Sequence, residues 1–408
     1  MKSAVELLAE VRSGDVSATE VVAAHLELFH QVEEATSAVI AFDDERALSD
    51  AARLDEAFAK AGPVGLLHGL PITVKDWIDV EGFPCAGNRG AFDRWPANDA
   101  TVVSRLRAAG AVVLGKTRAS GSGPAVRHPF DSTRTPGGSS SGEACVVAAG
   151  ASPLGIGSDS GGSIRLPAGW CGVFGLKPTS GRVPGTGHFP AFGALSDGRT
   201  QIGPLARSVD DLELALQVIA GPDFRDAGVA PVPLQSSEFQ PLEGKRFAVL
   251  TGEGPWTAAP AAAAAVEAAA RRLEAAGLER TDWPMPWLVP AMDITLRYWE
   301  RHELTGEAVD QQLENWDEFR NNYVAVSEEI ELLLTPTAAD VAPLLRENTR
   351  EDYVFTLPAS LTGSPALAMP TGPDEVGLPL GVQMIGRPWE DHLILAIARL
   401  LAAPQQSQ

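Results

Sequence analysis

Between residues 70 and 166 short apolar runs alternate with helix-forming stretches, and no other feature constrains the fold of this chain as tightly. Residues 70–74, Leu-Pro-Ile-Thr-Val, form a β-branched run that reads as a buried strand. The pattern predicts a helix over 101–109, a strand over 111–114, a helix of small residues over 143–149 and a strand over 154–157. Apolar strands without polar alternation must be covered on both faces. Joined by helices, they imply an α/β fold around a buried, parallel or mixed sheet. Two Gly/Ser loops interrupt the series, 137–142 ahead of the small-residue helix and 159–163 after the last of these strands.

The flanking regions extend this core. Ser3 with Glu6 and Ser17 with Glu20 each fit a capping box, and Gly14 separates the two helices they open. A third helix covers 44–59 and ends near Gly62-Pro63. Further on, 205–220 read as a helix, 221–243 as a Pro-rich connector, 246–250 as a strand and 261–276 as an Ala-rich helix ending at Gly277. Residues 285–330 read as helical, and 330–335, 365–369 and 381–385 as late strands. No repeat or linker divides the chain. One domain is expected over 1–408, with N-terminal helices to 62, a core over 63–220 and a C-terminal part over 244–408 that completes the sheet and a pocket.

With 53 acidic against 32 basic residues, the formal net charge is −21. Such a chain suits neither a phosphate backbone nor an anionic membrane surface, so no nucleic-acid or membrane partner is expected. No apolar run reaches the roughly 18 residues of a membrane span. The opening MKSAVELLAEVRSGD is charged and amphipathic, unlike a signal peptide. The three cysteines, Cys85, Cys145 and Cys171, include no CxxC pair, which argues against a disulfide framework or a zinc site and fits a reducing cytoplasm. The histidines lack ligand spacing, and there is no Walker loop, GxGxxG or HExxH, so neither metal nor cofactor is expected.

Chemistry concentrates in three stretches. Lys75 ends the first apolar strand, and an ammonium is costly to bury. Either it reaches solvent or it is desolvated, which moves its pKa from about 10.4 toward neutrality and makes it a usable base. The loops TPGGSSSGEA (135–144) and GSDSGGSIRLP (157–167) set glycines around serines. Glycines allow sharp turns and close approach, and successive N–H groups form a nest that can hold the oxyanion of acyl transfer. Alone, each loop is more simply a flexible turn. Gly138-Ser139-Ser140-Ser141-Gly142 also satisfies G-x-S-x-G, with His188, His302 or His392 as the partner of a triad. That elbow needs a strand directly before it, whereas 131–137, DSTRTPG, is loop chemistry.

Together the three stretches resemble the amidase signature family. The resemblance covers nearly the whole chain: SAVELLAEVRSGDVSATEVV at 3–22, GLPITVKD at 69–76, the run 136–179 ending CGVFGLKPT, IGPLARSVDDL at 202–212, LLLTPT at 332–337 and GLPLGVQMIGRP at 377–388. It implies the amidase signature fold, a central mixed β-sheet covered on both faces by α-helices. It implies Ser163 as nucleophile, Ser139 as proton bridge after a cis Gly138–Ser139 peptide bond, and Lys75 as base. Oxyanion N–H groups would come from Ser160, Gly161, Gly162 and Ser163, with Ser140, Asp159 and Arg165 in support. A Ser163 acyl-enzyme would then form and be hydrolysed without any cofactor.

The chain departs from the family in places. The segment between Lys116 and Pro136 and the region before LLLTPT are shorter than is usual, and Trp77 and Ser141 stand where smaller residues are common. Pocket candidates are Cys85, Arg118, His128, Phe130, His188, Phe189, Phe192 and the tryptophans between 287 and 316, each more simply read as packing. The expected function is hydrolysis of the C–N bond of a small-molecule carboxamide, with an aromatic or apolar substrate suiting a wider mouth. The alternative is the glutamine-hydrolysing component of an amidotransferase, which shares these motifs. Aryl acylamidase, carbamate and ester hydrolysis are variants, and a catalytically silent binding protein is the reading from another class. A homodimer is implied by the resemblance alone.

Overall fold

The computed structural model describes residues 1–87, 94–193, 197–238 and 240–403. Among these the strands are β1 (Val39–Phe42), β2 (Pro71–Lys75), β3 (Val112–Thr117), β4 (Leu154–Asp159), β5 (Phe174–Lys177), β6 (Gln201–Ala206), β7 (Arg246–Val249), β8 (Gly252–Glu253), β9 (Trp256–Thr257), β10 (Glu279–Thr281), β11 (Leu332–Pro336), β12 (Ala366–Pro373) and β13 (Pro379–Gly386). Eleven of them form one mixed sheet in the order β1-β3-β2-β4-β6-β5-β12-β13-β11-β7-β10, while β8 and β9 pair separately.

Side chains alternate across a strand, and here the alternation sorts residues into two apolar layers. Ile72, Val74, Leu154, Ile156 and Ile202 pack with the helices Thr101–Ala108, Val209–Ile219 and Asp391–Ala402. Val112, Leu114 and Leu205 pack on the other side with Ala18–Thr36, Asp44–Ala61 and Ser141–Ala148. The sheet is thus a mixed one with helices on both faces, as the strand pattern implied.

Several elements differ from the sequence reading. Residues 205–206, assigned there to a helix, end β6, a buried strand between β4 and β5; the helix begins only at Val209. Gly203 and Pro204 hid that strand, since proline is rare in central strands, yet Pro204 pairs with Ile156 of β4. The helix Arg165–Cys171 contains a proline and a glycine and is buried throughout, so packing rather than propensity forms it. The stretch 285–330 is not one helix. It breaks into Leu288–Trp299, a 3-10 turn at Arg301–Glu303 and Glu307–Ser327, with Gly306 at φ 56° between the last two.

β2 runs parallel to β4, with Ile72, Thr73 and Val74 opposite Leu154, Gly155 and Ile156. Their C-terminal ends, Lys75 and Asp159, therefore emerge on the same edge of the sheet.

Candidate active site

Thr73 and Lys75 share one face of β2. Thr73 Oγ1 donates to Glu143 Oε2 at 2.7 Å, which fixes that face beneath the helix Ser141–Ala148. Lys75, one pleat further on, emerges where loop 137–140 enters that helix. It is fully buried. Its Nζ lies 2.7 Å from Ser139 Oγ, 3.0 Å from Ser158 Oγ and 3.3 Å from the Ser158 carbonyl. The Trp77 ring centroid is 4.1 Å from Nζ. Burial lowers the lysine to about 7, against the opposing pull of Asp159, Asp76 and Glu143. Glu143 is also buried and is raised to about 7 by burial, although Thr117 and Thr73 hydrogen-bond it.

Ser140 joins the two Gly/Ser loops. Its N–H donates to the Ser163 carbonyl at 3.1 Å and its Oγ to the Ser158 carbonyl at 3.3 Å. The Gly138–Ser139 peptide bond is cis. Ser139 and Ser163 are half-buried, so both hydroxyl-bearing residues lie toward solvent while the lysine behind Ser139 does not.

Asp159 organises the second loop. Its Oδ1 accepts from Gly162 N–H at 2.6 Å and from Arg165 Nη2 at 2.9 Å. Its Oδ2 accepts from Ile164 N–H at 3.1 Å and from Arg165 Nε at 2.9 Å. Both side chains are fully buried. Burial alone would raise the carboxyl; the Arg165 guanidinium, Lys177 and the Ile164 N–H outweigh it and hold Asp159 at about 2. The sequence reading placed the Gly162 N–H in the anion cradle, but here it is taken by Asp159. The N–H groups of Gly161 and Ser163 have no acceptor among the described residues. Gly162 has φ +133°, and a Cβ there would lie 2.0 Å from Thr356 Oγ1, so the turn requires glycine.

The far end of the chain closes the site. Thr356 Oγ1 donates to the Gly161 carbonyl at 2.6 Å, and Tyr353 Oη to the Gly138 carbonyl at 3.0 Å. Arg165 Nη1 donates to Gln383 Oε1 at 2.6 Å and to the Thr356 carbonyl at 2.8 Å, while its Nη2 reaches Ser360 Oγ at 2.8 Å. Sequence reasoning missed Ser158, Tyr353, Thr356, Ser360 and Gln383. Only Gln383 carried a signal, as an amide amid the apolar residues of β13.

A cavity of about 760 Å³ opens beside these loops. Lys75, Ser139 and Ser163 do not line it. Its links to them are Thr200, whose hydroxyl is hydrogen-bonded to Ser160 Oγ, and Phe192, whose ring centroid is 4.9 Å from that of His188. Of the pocket candidates, Phe192 and Trp316 line this cavity. Cys85 is buried, and burial pushes its thiol up to about 11. Arg118 holds the Ser37, Val39 and Ser122 carbonyls, and His128 bonds the Trp170 carbonyl. Phe130 is exposed, Phe189 lies under the Arg94 guanidinium, Trp287 is in the core and Trp299 lies under Arg350. His188 bonds Ser158, and no strand leads directly into Ser139, in keeping with the loop context that counted against a nucleophile elbow: that serine sits in a loop against a lysine. Among the described residues no group of three or more His, Cys, Asp or Glu is placed to hold a metal ion, and no helix is long and apolar enough to cross a membrane.

The sequence profile described as Amidase matches residues 20–302 and 294–395. A glutamyl-tRNA(Gln) amidotransferase subunit from Symbiobacterium thermophilum is 34% identical over 478 aligned residues, covering 98% of this chain and 96% of the relative. A solved structure from a vestigial protein complex bearing on the origins of an s-triazine catabolic enzyme, with inhibitor bound, superposes with a TM-score of 0.88 at 30% identity, over 98% of each chain. A crystal structure described as an amidase gives a TM-score of 0.84 at 28% identity, over 98% of this chain and 99% of that one. With its mixed sheet and its lysine set against two Gly/Ser loops, the chain belongs to the amidase family, whose members hydrolyse C–N bonds.

Proposed function

We propose that the chain cleaves a small-molecule carboxamide through an acyl-enzyme on Ser163, with Ser139 as proton bridge and Lys75 as base. Lys75 supports this most directly. It is fully buried, its Nζ is 2.7 Å from Ser139 Oγ, and its hydrogen bonds go to hydroxyls and a carbonyl rather than to a carboxylate. Such a lysine can be neutral at working pH and accept a proton.

As Ser163 Oγ attacks the carbonyl carbon, its proton passes to Ser139 and that of Ser139 to Lys75 Nζ. The oxyanion is received by the free N–H groups of the 160–163 turn, those of Gly161 and Ser163 foremost. When the C–N bond breaks, the leaving amine takes a proton back from Ser139, because an amide anion would not depart. Water then attacks the acyl-enzyme by the same relay and releases the acid. Asp159, Arg165 and Ser140 hold the loops in place.

Because the base must be neutral, kcat is expected to rise with pH through about 7 and then level off. A pH–rate profile that is flat or falling between about pH 6 and 9 would overturn the assignment.

Val183, Phe192, Leu304, Trp316 and Leu361 in the cavity wall favour an amide with an aromatic or apolar body. Hydrolysis should be assayed with aliphatic amides, aryl acetamides, anilides, carbamates and glutamine. Turnover confined to acetamide and formamide would contradict an apolar pocket. The similarity to an amidotransferase component favours a second reading, glutamine hydrolysis within a complex. Glutaminase activity appearing only with a partner protein would select it.

A further inference from the structure

We propose that Ser158 and His188 form a positioning arm that turns the lone pair of Lys75 toward Ser139 and so sets the direction of the proton relay from behind the base. This arm presupposes that Lys75 is the base.

A neutral amine has two N–H groups and one lone pair. Three oxygens surround Nζ: Ser139 Oγ at 2.7 Å, Ser158 Oγ at 3.0 Å and the Ser158 carbonyl at 3.3 Å. The carbonyl can only accept, so it takes one N–H. If Ser158 Oγ accepts the other, the lone pair is left facing Ser139, whose proton it must receive. Ser158 Oγ can accept only if its own hydrogen points elsewhere. His188 Nε2 lies 2.9 Å from that hydroxyl. His188 Nδ1 lies 2.7 Å from the Pro190 carbonyl, again an acceptor only. Nδ1 therefore carries the ring proton and Nε2 is bare to take the hydroxyl hydrogen. The chain of donors runs one way: Lys75 N–H to Ser158 Oγ, Ser158 O–H to His188 Nε2, and His188 Nδ1–H to Pro190.

A proton on Nε2 would reverse this order. The ring would donate to Ser158, the serine hydrogen would swing to Lys75, and the lone pair needed by Ser139 would be occupied. Burial prevents it. His188 is held down to about 4 by desolvation, with Lys75 lowering it further and the Pro190 bond, Asp197 and Asp79 opposing, so it stays neutral while Lys75 titrates. The groups acting on Lys75 are Asp159, Asp76 and Glu143, and none of them hydrogen-bonds its Nζ. The His188 ring is fixed edge-on against Trp77 and Phe192, at 6.1 and 4.9 Å between centroids. Ser158 and His188 hydrogen-bond neither Ser139 Oγ nor Ser163 Oγ, so they act on the reaction only through the lysine.

The test is the rate of covalent labelling of Ser163 by a fluorophosphonate, followed against pH in full-length protein. It reads the reactivity of the serine whatever the natural substrate. Ser158→Ala and His188→Leu are expected to slow the maximal labelling rate about tenfold or more, the scale of one hydrogen bond lost from a charged network. Ser158→Ala should also move the pH midpoint downward, because an acceptor that favours the ammonium is gone. His188→Gln, whose side-chain oxygen can still take the Ser158 hydrogen, should keep most of the rate. Equal losses in the Leu and Gln variants, with the midpoint unmoved, would mean His188 only packs and would overturn the arm. Wild-type labelling in Ser158→Ala beside an inert Lys75→Ala would also overturn it while leaving the base assignment standing. Wild-type labelling in Lys75→Ala would instead remove the base. Should His188→Leu fail to fold, Ser158→Ala, which removes a single oxygen, still decides.

Discussion

Replacing Ser163 by alanine is expected to lower kcat/KM by about four orders of magnitude or more, and replacing Lys75 by alanine to come close to that loss. In the proposed mechanism Ser163 supplies the bond-forming atom and Lys75 is the base, its Nζ 2.7 Å from Ser139 Oγ. Residues acting as one relay do not contribute independently. The Ser163→Ala/Lys75→Ala double variant should therefore be no slower than Ser163→Ala alone, the remainder coming from the anion cradle and substrate binding. Steady-state kinetics on an amide cleaved by the wild type checks both statements. A Ser163→Ala enzyme that still turns over at the wild-type rate would mean that another group attacks.

The second large effect is on stability. Arg165→Leu is expected to destabilise the fold by about 3–5 kcal/mol, because it strands the buried carboxylate of Asp159 without its counter-charge. Urea unfolding near neutral pH measures the loss. Replacing both partners by apolar residues should recover part of it, since the cost lies in the unpaired charge. The pair also predicts an acid limit. Asp159 is held at about 2 against an ordinary 3.8, so its ionised form is favoured by folding. That contribution, about 2 kcal/mol, is complete above the unfolded value and fades as pH falls from about 4 toward 2. Arg165→Leu should lack this component of the acid transition. An unchanged urea midpoint in Arg165→Leu would show that Asp159 is not a carboxylate in need of its partner.

Much of the central sheet was legible because buried strands leave apolar runs, as at 70–74 and 154–157. β6 was not, since Gly203 and Pro204 look like a turn until neighbours on both sides hold them extended. The residues proposed to react stood out for a different reason. A lysine closing an apolar strand and serines within glycine turns conflict with simple packing, and such conflicts mark sites. Glycine's presence at 162 was visible, but its assignment to the anion cradle was not separable from a hydrogen bond to Asp159 without coordinates. Tyr353, Thr356 and Ser360 gave no warning, being ordinary residues in an ordinary segment whose partners lie far upstream.

That last feature bears on how the protein is made. Arg165 and Gln383, which hydrogen-bond across the site, stand 218 positions apart in the chain. A ribosome releases Lys75, Ser139 and Ser163 long before it releases the segment that braces them. The nascent polypeptide thus carries the proposed relay residues through most of its synthesis without the segment that braces their loops. Those loops gain their long-range hydrogen bonds to Tyr353, Thr356, Ser360 and Gln383 only after the last third of the chain has been made.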